Sequence, residues 1–524
     1  MRFWDKVNHY IATTRGMQEY LRQPPTRDWR GRIERNLENR GEVWVDTLRR
    51  TVFSSSAGPY RRMFELADCT FDDLSASVDR YGVERTLEKL RSAGVHLSHD
   101  EFKGKMKIVR QGEEIPASPS DFANPLAQGW LAGRTSGSRS GGTVTLTGNV
   151  HLDYLTGYAA LNVEEFGMRE GPYVIVRPIL PSIAGMYFCL FHSRLDCEMG
   201  PWFAYGGSGA DSLHYRALTN YIVGLARVRG QPAPFPRFLP QNDFAPVAAW
   251  IAAQRKRHRR CTLQAVASVG ARIAAAAKEN DLDVGGTIFV SGGEALTPGK
   301  RRICESVGME VHPAYWVSEI GQIGHACRAI REGNAVHVFT DGVAVITQTR
   351  LAPFSDQQVE SLQLTSLLPH SPYVLINCDM DDAGVLEDSP CDCTFGRVGF
   401  TRRIRDISSY GKLTGLGVTL VGTDVLRILE EDLPVRIGGA PSDYQLVQQE
   451  AGNQTELTLR VNPRLQVALD DVRELFLERL SKCYGGVLAT RVWKHTEAFR
   501  VISGVPIETK GGKTLPLHIT KPEE

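Results

Sequence analysis

An excess of charge of either sign is missing from this sequence: 61 Lys and Arg stand against 60 Asp and Glu over 524 residues, a net of +1. So even a balance argues against a nucleic-acid backbone, a membrane surface or another strongly charged macromolecule as partner, and leaves a small molecule. The single basic run, Arg255-Lys-Arg-His-Arg-Arg260, has no interleaved aromatic residues and reads as a solvated helix end. No stretch of about 18 consecutive apolar residues occurs, so no membrane-spanning helix is expected. Met1-Arg-Phe-Trp-Asp-Lys6 lacks the apolar core of a signal peptide, which makes a cytoplasmic location the expectation. Cysteine is sparse: ten residues are scattered along the chain, which excludes a small disulfide framework and predicts mostly reduced, buried thiols. A Walker A loop is also lacking, because Gly511-Gly-Lys-Thr514 has Ile507 where the first glycine belongs.

What remains is an ordinary globular composition, 42% hydrophobic and 23% charged, on a chain longer than one core usually supports. Residues 1–130 carry apolar positions at helical spacing and form a helical lead-in. From Tyr173 to about residue 345, strand and helix patterns alternate. Tyr173-Val-Ile-Val is a buried strand, 263–280 a helix, Thr287-Ile-Phe-Val a strand, 298–307 a helix and 310–315 a strand. Such alternation predicts a large α/β domain over 1–404, with functional loops at strand ends. Beyond residue 405 the reading is a smaller α+β domain to 524, with strands at 434–437, 456–461 and 489–496 and a helix over 463–482.

The segment Arg134-Thr-Ser-Gly-Ser-Arg-Ser-Gly-Gly-Thr143 packs five hydroxyls, three glycines and two arginines into ten residues. It can cradle an anion, and a Ser/Gly-rich linker would look the same. It is followed in order by Ser291-Gly-Gly-Glu294, Tyr315-Trp-Val-Ser-Glu-Ile-Gly321, Asn377-Cys-Asp-Met-Asp-Asp-Ala-Gly384, Cys391-Asp-Cys393 and Pro506-Ile-Glu-Thr-Lys-Gly-Gly-Lys-Thr514.

In this collinear order the pieces resemble the adenylate-forming superfamily of acyl-CoA synthetases, in particular its phenylacetate-CoA ligase and acyl-protein synthetase branch. The resemblance covers residues 50–520 and rests most on Gly-Gly-Glu and Tyr-x-x-Ser-Glu. It implies a multi-sheet α/β adenylation domain with a mobile α+β cap. It also implies an ATP-dependent, AMP-forming acid–thiol ligase, which makes an acyl-adenylate and hands the acyl group to coenzyme A or a carrier protein. An acyl-protein synthetase, a diazotase-like enzyme or a non-catalytic nucleotide-binding homologue are the other readings. Thr135, Ser136, Gly137 and Ser138 would hold phosphates, with Arg139 supplying the charge of the family's Pro-Lys, absent here. Gly292, Gly293 and Glu294 would lie beside adenine, Tyr315 stack on it, Ser318 contact phosphate and Glu319 hold Mg²⁺. Asp382 is preferred over Asp379 and Asp381 for the ribose, joined by Arg405, while Lys513, with Lys510 a lesser rival, would bridge carboxylate and α-phosphate. Cys327, His337, Cys391 and Cys393 match a structural Zn²⁺ set of that branch. Tyr187, Phe188, Phe191, Trp202, Phe203 and Tyr205 lie where the family lines its acyl pocket, which suggests an apolar, even aromatic, acid; core packing would use the same residues.

Overall fold

Every side chain of Tyr173-Val-Ile-Val176 is buried, as in a strand covered by helices on both faces. The computed structural model of the protein describes residues 3–55, 57–134, 143–205, 210–239, 243–330, 334–351, 358–409, 414–415, 418–419, 422–451, 454–482, 499–508 and 514–520. A short hairpin comes before the main sheet: β1 (Leu131–Arg134) pairs antiparallel with β2 (Val144–Thr147). The sheet strands are β3 (Tyr173–Val176), β4 (Met199–Ala204), β5 (Pro236–Phe238), β6 (Cys261–Ala265), β7 (Thr287–Gly292), β8 (Glu310–Val317), β9 (Gly321–His325), β10 (Val336–Val338), β11 (Val343–Leu351), β12 (Gln358–Ser366), β13 (Cys378–Asp388) and β14 (Arg402–Ser409). Instead of the several sheets expected, they form one twelve-stranded sheet in the order β11-β12-β13-β14-β10-β9-β8-β7-β6-β3-β4-β5. Strands β3 to β8 pair in parallel, while every pairing from β8/β9 onward is antiparallel. The two halves meet at the turn between β8 and β9, which carries Ser318 and Glu319.

Helices flank the parallel half: α1 (Asn149–Phe166), α2 (Ile183–Ser193), α3 (Ala267–Glu279) and α4 (Pro298–Ser306). Thirteen of the eighteen residues of α1 are buried, and it ends on Gly167 at φ 59°, the left-handed cap that glycine adopts without a Cβ penalty. Among the described residues no helix is long and apolar enough to cross a membrane, and all the cysteines are free.

A separate four-stranded sheet contains β15 (Tyr444–Ala451), β16 (Gln454–Val461), β17 (Phe499–Ser503) and β18 (Leu517–Thr520), in the order β17-β16-β15-β18. It has its own core with α5 (Leu469–Ser481) around Phe476, Leu459 and Val425. The boundary expected at 405 falls inside β14. Residues 434–437 are not a strand, because Leu433–Arg436 is helical with Pro434 in its first turn, where proline's missing N–H costs nothing. The helix expected over 263–280 starts only at Ala267, its first residues being β6; a short apolar run has no periodicity to separate strand from helix. Likewise the helix expected over 463–482 is a short turn at Pro463–Leu465 followed by α5. Residues 489–496 lie outside the described residues.

Charged pairs join the small unit to the large one. Lys300 Nζ meets Glu430 Oε1 at 3.1 Å with both side chains buried, and Arg272 meets Glu508 at 2.7 Å. Farther out, Arg302 pairs with Glu431 and Arg464 with Glu279. A cavity of about 220 Å³ lies in this interface, away from the motif residues on the sheet, between α3 and residues including Asp443, Arg464, Pro506 and Thr514.

Candidate active site

The ends of β7 and β8 put the sequence motifs side by side, because the parallel register sets Gly292 opposite Ala314 and so Gly293 level with Tyr315. Gly293 has φ 91°, a left-handed conformation that glycine reaches without strain. Buried Arg177, at the end of β3, donates from Nη2 to the carbonyls of both Ala265 and Gly292 at 2.9 Å, fixing the ends of β6 and β7 together. Glu294 accepts the backbone N–H of Ser268 at the start of α3.

Tyr315 donates its hydroxyl to Asp382 Oδ2 at 2.8 Å. The two neighbouring aspartates are engaged differently. Asp379 is buried against Arg350 and Ser361 Oγ, each at 2.8 Å, and Asp381 faces His99 at 3.3 Å. Asp382 is therefore the carboxylate that shares the site with Tyr315. Arg405 is not brought there: it pairs with Glu387 and with its neighbour Asp406, on the exposed part of β14. Replacing Tyr315 with Phe would remove this hydrogen bond to Asp382.

Glu319, 3% exposed, accepts Lys103 Nζ at 2.7 Å, and the same ammonium donates to Thr143 Oγ1 at 2.6 Å. A second bridge runs parallel to it, since Tyr373 donates its N–H to Glu319 O at 3.2 Å and its hydroxyl to Val144 O at 2.8 Å. Both bridges fasten the base of the β1–β2 hairpin, closed by the Arg134–Val144 pair, to the Glu319 turn. Thr135, Ser136, Gly137, Ser138 and Arg139 connect those strands and lie outside the described residues. Ser318 is in the turn itself, half-buried.

Lys103 and Arg177 were not found from the sequence. The N-terminal 130 residues showed only a helical lead-in, and a lone lysine 216 positions before its carboxylate carries no local signal.

Lys510 and Lys513 also lie outside the described residues, but the stem of their loop does not. Glu508 and Thr514 form a β-bridge, and buried Gln445 holds both arms, donating to Ile507 O at 2.9 Å and Leu515 O at 2.8 Å. The Arg272–Glu508 pair docks the stem on α3, near enough that Glu508 and Glu294 both act on the Tyr205 hydroxyl.

The cysteine and histidine set is brought together. Cys327 Sγ lies 3.9 Å from Cys391 Sγ, and Cys393 Sγ lies 3.4 Å from His337 Nε2. The ligand atoms of Cys327, His337, Cys391 and Cys393 all fall within 4.8 Å of one another. A zinc tetrahedron with Zn–S bonds of about 2.3 Å has edges of about 3.8 Å, so the set fits. His337 Nδ1 is 2.8 Å from Phe400 O, which fixes the tautomer that turns the Nε2 lone pair to the cluster. The hydrogen bond from Cys393, with help from His337, holds the Cys327 thiol well below the usual thiol range against burial, and Cys393 is raised in turn. Glu165, near the end of α1, clamps both ligand loops, accepting Arg328 N–H at 3.0 Å and Thr394 N–H at 2.9 Å.

Of the six aromatics expected around an acyl pocket, Phe188 and Phe191 line a small cavity beside Trp316. Tyr187 instead hydrogen-bonds Thr147 at 2.5 Å, Trp202 donates to Arg177 O at 2.9 Å, and Phe203 and Tyr205 pack in the core on the sheet's other side.

No family model matches the chain and no curated protein matches it, whereas 128 chains of solved structures match in shape. The likeness is one of fold. One such structure is 2-hydroxyisobutyryl-CoA ligase in the postadenylation state with 2-HIB-AMP, at TM-score 0.59 and 14% identity over 93% of this chain and 89% of that one. The same ligase with R3-HIB-AMP gives TM-score 0.57, again at 14% identity over 93% and 89%.

Proposed function

We propose that this protein is a cytoplasmic ligase that activates a carboxylic acid with ATP and Mg²⁺ and passes the acyl group to a thiol, that of coenzyme A or of a carrier protein. The observation that carries this reading is the convergence of Tyr315, Asp382 and Glu319 on one seam of a fold shared with an acid–CoA ligase. In the first step a carboxylate oxygen attacks the α-phosphorus, the bond to the β-phosphate oxygen breaks, and pyrophosphate leaves. In the second, the thiol sulfur attacks the acyl carbonyl carbon, AMP departs with its phosphate oxygen, and the thiol proton goes to solvent.

Each residue has a task in this scheme. Tyr315 and Gly292-Gly293 would receive the adenine, and Asp382 the ribose hydroxyls. Lys103, Thr143 and the 135–142 loop would spread the phosphate charge as it builds. Mg²⁺ supplies charge neutralisation beside the phosphates, held through Glu319. The docked stem, residues 506–508 with 514 and 515, supports Lys513 as the cation that bridges carboxylate and α-phosphate. Zn²⁺ held by Cys327, His337, Cys391 and Cys393 would be structural, because four protein ligands leave no place for a reacting water. Phe188, Phe191 and Trp316 favour an acid with an apolar body.

The test is acid-dependent exchange of labelled pyrophosphate into ATP over a panel of short-chain and aryl acids, with nitrite included. At least one acid is expected to support exchange, and Lys513→Ala to reduce it at least tenfold. No exchange with any acid or nitrite would sink the reading. Exchange without consumption of coenzyme A would point to a protein acceptor.

A further inference from the structure

The cavity beside Trp316 is where the site departs from an apolar pocket. It is small, about 10 Å³, room for about one water-sized group. It lies between α1, α2 and strands β6 to β9, on the face of β8 opposite Tyr315: Ala314 and Trp316 join the core of α1 and α2, whereas Tyr315 joins the other core. It is one side chain from the nucleotide loop, since a Cβ on Gly292 would stand 3.3 Å from Trp316 Cδ1.

Besides His192, four polar side chains on its wall are at least nine-tenths buried: Asn162 at 8% exposure, Gln264 at 2%, Gln322 at 4% and His325 at 0%. Each leaves one buried polar atom without a hydrogen-bond partner, namely Asn162 Oδ1, Gln264 Nε2, Gln322 Nε2 and His325 Nε2. The opposite ends of two of them are used, because Gln264 Oε1 accepts the Tyr173 hydroxyl at 3.2 Å and His325 Nδ1 is 2.7 Å from Ala326 O. Gln264 and His325 are thus fixed at their far ends, and all four residues line the same small space. An orphaned buried polar group costs about 1–3 kcal/mol, so four around one cavity mark a place made to be filled by a hydrogen-bonding partner. Two amide donors and two acceptors suit a group that both donates and accepts. No acidic or basic carboxylate, ammonium or guanidinium lines the cavity, and burial pushes the His192 imidazole on its wall down to about 4, neutral at physiological pH. The group received is therefore uncharged.

Building on the adenylation reading, we propose that the acid activated here bears a hydroxyl or carboxamide at the end remote from its carboxylate, received by Asn162, Gln264, Gln322 and His325 behind the gate of Phe188, Phe191 and Trp316. Apolar surface recognises the body of the acid, and the buried quartet reads its tip. An analogue with methyl in place of hydroxyl fills the same volume and leaves the quartet unpaired, a mismatch that sites of this kind reject strongly.

The experiment uses the full-length protein and pyrophosphate exchange with matched acids: para-hydroxybenzoate against para-toluate, and short ω-hydroxyalkanoates and ω-carboxamides against the alkanoates with a terminal methyl. Within at least one pair the polar acid is expected to be favoured about a hundredfold or more in kcat/KM. Gln322→Leu and Gln264→Leu are expected to bring that ratio to within tenfold of unity or to invert it, and near-isosteric Gln322→Met serves if the leucine variant does not fold. A water bound in the cavity for stability alone would lower the variants' unfolding midpoint and leave the ratio unmoved. That result, or a wild type that uses the methyl acids as well as the polar ones, overturns the proposal while exchange itself stands. Absence of exchange with every acid overturns the adenylation reading and this proposal with it.

Discussion

Replacing Glu319 with Gln is expected to cut acid-dependent ATP–pyrophosphate exchange by about two to three orders of magnitude, and Lys103→Met to do the same. The side chains of this pair are 4% and 9% exposed, and the ammonium reaches Thr143 as well as the carboxylate. Each change removes charge where phosphate charge builds, and each leaves the other member buried without its partner, which costs about 3–5 kcal/mol of stability. Combining the two substitutions is therefore expected to recover much of the stability but none of the activity, in a double-mutant cycle of unfolding free energy and exchange rate. Their Mg²⁺ dependence separates the roles. On the proposed assignment Lys103 would compete with Mg²⁺ for Glu319, so half-maximal exchange should need more Mg²⁺ in Glu319→Gln and less in Lys103→Met. A Mg²⁺ titration that moves both variants in the same direction would contradict the assignment.

Removal of a metal ion is the second large effect. The purified protein is expected to carry about one equivalent of zinc per chain, with Cys393→Ser or chelation removing it. At free zinc a thousandfold above Kd, binding stabilises by about 4 kcal/mol, roughly a 5 °C shift of the unfolding midpoint for a unit of this size. Metal analysis and a melting curve with and without chelator measure both. A metal content below roughly half an equivalent, with no shift on chelation, would show that the quartet holds no metal. His337 is on β10, between β9 and β14, so the loss should be felt first in that part of the sheet, as faster amide exchange.

How much of this could be read from the chain differs by residue. Gly292-Gly293, Tyr315, Glu319 and the metal quartet were legible because they occur as short patterns in a fixed order, and Asp382 was separated from its neighbours only once the Tyr315 hydroxyl was placed. The α/β alternation was legible because buried parallel strands are continuous apolar runs. Lys103 and Arg177 were not, since each acts through one long-range contact with nothing in its own neighbourhood to mark it. Arg405 was misplaced because motif spacing does not say which side of a strand a residue occupies. The polar quartet was hidden for a related reason: Asn162, Gln264 and the pair Gln322 and His325 come from three separate elements, α1, β6 and β9, while the aromatic cluster nearby suggested an apolar pocket.

Four charge pairs whose exposure is graded join the two units. Lys300–Glu430 is 5% and 2% exposed and Arg272–Glu508 is 13% and 11%, whereas Arg464–Glu279 is 36% and 53% exposed and Arg302–Glu431 is 57% and 23%. Added salt screens the outer pairs and scarcely reaches the inner ones. Ionic strength therefore acts on this joint as a graded loosening: the periphery is released first, and the small unit stays tethered beside α3 and α4, where the stem of the Lys513 loop docks.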